Sequence, residues 1–206
     1  MTIAALILAG GQGSRLGGAD KAFVRLNGMK LIDHLLARLA PQAQPIAISA
    51  NGDPARFAAY GLPVLPDAQN FAGKGPLAGV AAGLAWATTA GTEFLLTVPV
   101  DTPFIPENLV SALTPGPSVA VHQQRQHHLV ALWPVNFYPA LQTFLAQPGA
   151  YKVRDALNLC AARQVAFDGP ADPFLNINTP DDLATASGGP RAIRKGDPQY
   201  DPAGLK

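Results

Sequence analysis

The sequence predicts an α/β fold on a largely parallel, buried sheet, and three observations carry that expectation. Short apolar runs end in Gly, Pro, Asn or Asp. Amphipathic segments lie between them, so strand and helix signals alternate along the chain. At 206 residues with 48% hydrophobic content, the chain is long and apolar enough to fill one core.

Taken in order, strands are expected at 3–9 (IAALILA), which runs into Gly10, and at 45–50 (PIAISA), which stops at Asn51 and Gly52. The run 62–66 (LPVLP) precedes Asp67, and 93–100 (EFLLTVPV) ends at Asp101. Further strands are expected at 118–122, 128–134 and 163–167. Helical spacing appears at 30–40, 75–89, 106–113, 136–147 and 179–186. In the second of these, Leu77, Val80, Ala81, Leu84 and Ala85 make one apolar stripe. The last begins with Thr179 as N-cap, Pro180 at the first helical position and two aspartates facing the helix dipole.

The bulk numbers exclude several functional classes. Charged residues make up 14% and the formal net charge is +1, so no broad field points to nucleic acid or to an anionic membrane, and any anion site must be local. The single cysteine, Cys160, excludes an intramolecular disulfide and a cysteine zinc cluster; it reads as packing and suits a reducing cytoplasm. The run Ile3 to Ala9 is too short to span a membrane and lacks a basic lead-in, so a soluble cytoplasmic protein is expected. Residues 1–186 read as one domain and 187–206 as a Gly/Pro/charged tail in which Arg191, Arg194 and Lys195 are solvated.

The stretch LILAGGQGSRLGGADKAF (6–23) carries the chemistry. Glycines directly after a strand let backbone N–H groups converge on an anion, because Gly reaches positive φ and brings no Cβ. Phosphate is the natural guest. The spacing fails the P-loop, since Lys21 follows Asp20 and precedes Ala22. It also fails the dinucleotide fingerprint: counting from Gly11 and Gly13, the third glycine position is Leu16, and Asn51 stands where an acid should close the second strand. Arg15 and Lys21 are cations that a mere turn would not need.

These residues resemble the signature L-A-G-G-x-x-x-R-[ML]-G-x-D-K of nucleotidyltransferases with the nucleotide-diphospho-sugar transferase fold, most closely the molybdenum cofactor guanylyltransferases. The likeness continues through ISANGD (48–53), PVLPDA (63–68), GPLAGVAAGL (75–84), VPVDTPFIP (98–106) and FLNINTPDDL (174–183), in the family's order. It implies a Rossmann-like three-layer α/β/α fold with a mostly parallel mixed sheet. It also implies that 1–186 is a single nucleotidyltransferase domain.

Residue by residue, the resemblance places Leu8, Ala9, Gly10, Gly11, Gly13 and Ser14 around the nucleotide and its phosphates. Gly10 of LAGG favours guanine over the LAAG of related cytidylyltransferases. Arg15 and Lys21 match the cations that neutralise the triphosphate. Asn51 and Asp67 are assigned to base and ribose, although Asp67 taken alone reads as a turn residue. Asp101 ends a buried strand with a hard oxygen ligand and is the expected Mg²⁺ ligand, with Mn²⁺ as a substitute. Pro99 and Pro103 would stiffen its backbone. Asn176 and Asn178 are expected on the pterin side. Of His127 and His128, at most one is expected to face the cleft, because neighbours on a strand point to opposite faces, and surface polarity is the main reading of both.

The implied reaction joins GTP to molybdenum-loaded molybdopterin, giving the guanine dinucleotide cofactor and pyrophosphate by metal-aided charge neutralisation. Molybdopterin-handling proteins and acceptor molybdoenzymes are candidate partners; nucleic acid and membrane are not expected. The competing readings are cytidylyl transfer to the same pterin, nucleotidyl transfer to a sugar phosphate, and a non-catalytic GTP-binding protein.

Overall fold

The structure, a computed structural model, describes residues 1–10, 12–13, 19–149 and 151–187. In chain order its elements are β1 (Ile3–Leu8), β2 (Gln12–Gly13), β3 (Ala19–Asp20), β4 (Arg25–Leu26), β5 (Met29–Lys30), α1 (Leu31–Leu39), β6 (Ile46–Ser49), β7 (Val64–Leu65) and α2 (Pro76–Thr89). There follow β8 (Phe94–Pro99), α3 (Leu109–Leu113), β9 (Ser118–His122), β10 (Arg125–Pro134), α4 (Tyr138–Ala146), α5 (Val153–Leu159), β11 (Arg163–Ala166) and α6 (Pro180–Ser187).

Seven strands form one sheet in the order β11-β9-β10-β8-β1-β6-β7. β10 runs antiparallel to both neighbours, and the other pairings in the sheet are parallel. The expected mostly parallel mixed sheet is therefore present. The two-residue period of β1 sorts its side chains between two cores. Ile3, Ala5 and Ile7 pack with Ile32, Leu35 and Leu39 of α1 and with α3. Ala4 and Leu6 face the other way, toward Leu77, Val80 and Leu84 of α2 and Leu141 of α4. Helices thus cover both faces of the sheet.

α2 lies unusually close to the sheet, and two glycines one turn apart permit this. A Cβ at Gly79 would come within 2.5 Å of Ser49 Oγ; one at Gly83 would come within 2.9 Å of Leu95 Cδ2 and closer still to Leu6. Buried polar groups in the sheet are paired: Trp133 Nε1 donates to Thr97 Oγ1 at 3.0 Å, and that hydroxyl donates to the Leu129 carbonyl at 2.8 Å.

Some elements differ from the sequence expectation. α5 was not expected; a seven-residue segment carries too short a pattern to declare itself, and burial of Ala156 and Leu157 in the second core stabilises it. The strand expected over 62–66 shortens to two residues at the sheet edge. Ser187, expected to open the tail, ends α6. Residues 188–206, with Arg191, Arg194 and Lys195, lie outside the described residues. Cys160 donates to the Leu157 carbonyl at 3.3 Å, and burial pushes its thiol up to about 11, as a packing role requires.

Candidate active site

Parallel strands deliver their carboxyl ends to one edge of the sheet, and β1, β6 and β8 meet there. A cavity of about 320 Å³ opens at that edge, lined among others by Leu8, Gly10, Lys21, Asn51, Asp67 and Asp101. Six of the expected site residues therefore share one space. Ala9 lies in the core instead, its N–H donated to the Ser49 carbonyl at 2.9 Å. Gly13 pairs through its backbone with Ala19. Gly11, Ser14 and Arg15 lie outside the described residues.

The centre of the site is an ion pair. Lys21 Nζ reaches Asp101 Oδ2 at 2.9 Å and also donates to Asn178 Oδ1. Both charged side chains are mostly buried, 17% and 15% exposed, so water screens them weakly. Asp101 stands in a tight turn after β8, closed by Thr102 N–H to Pro99 O at 3.1 Å and by Thr102 Oγ1 to the same carbonyl at 2.7 Å. The turn is thus fixed by Thr102 as well as by proline. Ile177 N–H donates to Asp101 O at 2.8 Å, which docks the Asn176–Asn178 segment onto the strand end.

Asn178 is held from behind by the start of α6. Asp182 accepts from the N–H groups of Asn178 (2.9 Å) and Thr179 (2.8 Å), while Thr179 Oγ1 accepts from Asp182 N–H at 3.1 Å. This is a reciprocal capping box, and Thr179 caps as its sequence context predicts. The Asn178 N–H bond is the chief reason the Asp182 carboxyl titrates below its ordinary range.

Lys21 is anchored by residues the sequence reading missed. Asp20 Oδ1 accepts from Ala22 N–H at 3.1 Å, and Asp20 Oδ2 pairs with Arg56 Nε at 2.9 Å. The same guanidinium donates at 2.7 Å to the carbonyls of Asp53 and of Asn51. Asn51 and Asp67 interlock in turn, Nδ2 to Oδ2 at 2.8 Å and Asp67 N–H to Asn51 Oδ1 at 2.9 Å. Nothing local in the sequence marks Arg56.

α2 contributes the opposite wall through Gly75, Pro76 and Gly79. Gly75, at φ 64°, precedes Pro76 at the first helical position, so the positive end of the helix dipole faces the cavity. GPLAG carried the signal for this wall, although no site residue was drawn from it. Lys74 ties the same loop to the end of α4 and to the segment before α5: it donates to Leu145 O at 2.5 Å and Tyr151 Oη at 2.7 Å.

A second cavity, of about 490 Å³, adjoins the first, and Pro99 and Leu129 line both. Asn176 lines it, together with both His127 and His128. The His127 ring packs on Phe174 of the first core, whereas His128 lies within the influence of Arg154 on α5, so the two neighbours take opposite sides as strand alternation expects. The β9–β10 register shifts between His127 and Ala131. Surface polarity is wrong for His127, which is 8% exposed with its ring 4.8 Å from that of Phe174. Burial holds the His127 pKa below its ordinary value against the opposing pull of Asp172 at 3.6 Å.

Comparison with known proteins agrees with this geometry. Residues 5–163 match the family described as the MobA-like NTP transferase domain. The chain belongs to this family. It is accordingly a nucleotidyltransferase. It is 52% identical to a molybdenum cofactor guanylyltransferase of Acidiphilium cryptum, covering 90% of this chain and 94% of the relative. It is 49% identical to one of Rhodobacter capsulatus, covering 90% and 95%. Among solved structures, molybdopterin-guanine dinucleotide biosynthesis protein A of Archaeoglobus fulgidus superposes with a TM-score of 0.70 at 24% identity, covering 91% of this chain and 97% of that one, a likeness of fold. A 4-diphosphocytidyl-2C-methyl-D-erythritol synthase of Anaerococcus prevotii shares the fold at 13% identity, covering 90% and 94%, with a TM-score of 0.65. Among the described residues no helix is long and apolar enough to cross a membrane.

Proposed function

We propose that the smaller cavity binds the triphosphate of GTP and that GMP is transferred there to the terminal phosphate of molybdenum-loaded molybdopterin, with release of pyrophosphate. The observation that carries this reading is the Lys21–Asp101 pair at 2.9 Å beside Gly10 and the α2 N-terminus. Relatives at 40–52% identity carry the guanylyltransferase name, and the cytidylyl and sugar-phosphate alternatives gain no support from them.

In the reaction an oxygen of the acceptor's phosphate monoester attacks the α-phosphorus in line; that P–O bond forms as the bond to the β-phosphate breaks, and the pair of electrons leaves with pyrophosphate. A phosphate monoester with a second pKa of about 6 is mostly ionised at neutral pH, so no general base is required. Lys21 leaves its carboxylate partner to neutralise the phosphates, and Asn178 holds its ammonium in place. N–H groups of the glycine segment and the α2 dipole share the charge, while Asn51 and Asp67 orient the nucleoside. Arg15 joins Lys21 on the triphosphate.

The donor set suits a divalent cation that arrives with the nucleotide. Among the described residues no cluster of three acidic, His or Cys groups could hold a metal unaided. Mg²⁺ is commonly held by one or two carboxylates plus substrate phosphates. Asp101 would hold Mg²⁺, or Mn²⁺ in its place, and the ion would supply charge neutralisation for the triphosphate. A nucleotide panel with pyrophosphate readout and loaded molybdopterin tests the reading: GTP should be strongly preferred, and preference for CTP would overturn it.

A further inference from the structure

Arg56 is not among the described residues that line the smaller cavity, yet its guanidinium joins two segments that do. Nε donates to Asp20 Oδ2 at 2.9 Å, and Nη1 and Nη2 donate to the Asp53 and Asn51 carbonyls, both at 2.7 Å. Asp20 accepts from Ala22 N–H at 3.1 Å with its other oxygen, so its carboxylate braces the residues on either side of Lys21. Asn51 is interlocked in turn with Asp67 through two bonds. One continuous set of polar contacts therefore runs from Asp67 to the backbone beside Lys21.

The guanidinium rests on a stiff support. Arg56 belongs to the 3₁₀ segment Pro54–Tyr60, whose start is capped by Asp53 accepting from Ala55 N–H at 2.9 Å. Its Cζ lies 4.8 Å from the ring centroid of Phe57, a fully buried residue of the first core. That ring lies 5.2 Å from the ring of Phe23, in the turn that Lys21 opens. Gly52 leaves room for the fork: its φ is 83°, and a Cβ there would come within 3.3 Å of Nη1. A lysine could not replace it, because an ammonium is a point charge on a flexible stem, whereas the planar fork fixes three acceptors at set angles. The Arg56 and Asp20 side chains are 28% and 24% exposed, so solvent weakens their attraction and the value of the contact lies in its geometry.

We propose that Arg56 is a positioning residue for the transfer: it sets the spacing between the Asn51–Asp67 pair and Lys21, so that a nucleoside seated at that pair brings its α-phosphate against the ammonium. This role rests on the functional reading above, which puts the nucleoside at Asn51 and Asp67, and it adds a route by which base recognition reaches the rate. A misplacement of about 1 Å is enough to cost roughly 10²-fold in rate. A nucleotide whose base does not engage the pair gains nothing from the link, so Arg56 raises turnover of the preferred nucleotide selectively. Without Arg56 the two segments keep their own contacts, Asn51 with Asp67 and Lys21 with Asp101 and Asn178, but lose the common reference between them.

The test uses the full chain and its variants Arg56→Ala and Arg56→Lys. Arg56 is partly exposed, so folding should survive, and urea unfolding verifies it. Pyrophosphate release with loaded molybdopterin gives kcat and KM for GTP and for ATP. Arg56→Ala should lower kcat for GTP roughly tenfold or more, with KM held within about threefold, and the preference for GTP over ATP should shrink by a similar factor. Arg56→Lys should recover only a small part of the loss. A kcat for Arg56→Ala within about twofold of wild type would overturn the inference. So would equal losses for GTP and ATP, which would make Arg56 a general support of the fold, and so would full recovery in Arg56→Lys, which would make the Asp20 ion pair sufficient. Wild-type protein that fails to prefer GTP would sink the functional reading instead. Amide exchange without nucleotide would then still decide whether Arg56 joins the two segments: its loss should speed exchange at both Ala22 and Asp67, and unchanged exchange at either would overturn the link.

Discussion

The two cavities meet along Pro99 and Leu129, yet they handle charge in opposite ways. In the smaller one each described charged group is already engaged: Lys21 with Asp101 and Asn178, and Asp67 with Asn51. In the larger one Arg125 and Lys152 have no partner among the described residues. A paired site keeps its geometry before the ligand arrives and must exchange partners on binding. An unpaired site is left with a field that only the ligand completes. The first arrangement suits chemistry, where position decides the rate, and the second suits selection, where charge decides affinity.

Breaking the paired site should give the largest effects. Asp101→Ala should keep the fold and lower pyrophosphate release by about 10³ or more, as loss of a centre of charge neutralisation does; wild-type-like turnover would remove its metal role. Lys21→Ala should lower kcat by roughly 10²–10³ with a smaller change in GTP affinity, and Lys21→Arg should not restore it, since a fork cannot replace a point charge held by Asn178. If only affinity fell, Lys21 would be a binding residue.

Smaller effects probe the scaffold that separates the two sites. Gly83→Ala gains ~1 kcal/mol of helix propensity but forces a Cβ onto Leu6 and Leu95, at ~1–3 kcal/mol of overpacking. Both leucines are fully buried in mid-sheet, so strain should win, with a net loss of about 1 kcal/mol in urea unfolding and nearly normal activity in the folded fraction. In the β9–β10 turn, replacing Gln123 and Gln124 by Asn and Gly should gain a similar ~1 kcal/mol by relieving two positive-φ residues, with pyrophosphate release preserved.

The smallest effect is a pH dependence away from both cavities. His34 is buried and donates Nε2–H to the Leu26 carbonyl at 2.8 Å, and burial lowers its pKa below 6.5. The unfolded chain therefore binds the proton more readily than the folded one. Stability is full above about pH 6.5 and falls as pH drops below it, until the folded histidine also titrates. A His34→Gln variant should flatten that part of a stability-against-pH curve.

Much of the smaller cavity was legible because its elements are local. A buried strand followed by glycines, a proline after Gly75 and the Thr-Pro-Asp-Asp cap each declare themselves within a few residues, and six of the residues drawn from the motifs do line one cavity. The larger cavity was less legible. Arg125 comes from a hairpin, Lys152 from the cap before a seven-residue helix and Arg154 from that helix, none of which has a motif. The burial of His127 was not legible either, because its partner Phe174 is distant in sequence.

The sequence by itself determined the class of fold and the strand-end groups that line the smaller cavity, because hydrophobic period, glycine placement and capping act over one or two turns of chain. Only the tertiary structure decided that Lys21 would meet Asp101 and Asn178, respectively 80 and 157 residues away, and that Arg56 would lock Asp20 to the Asn51 loop. Such partners depend on which strands become neighbours, and that choice is made by the packing of two whole cores rather than by any local preference.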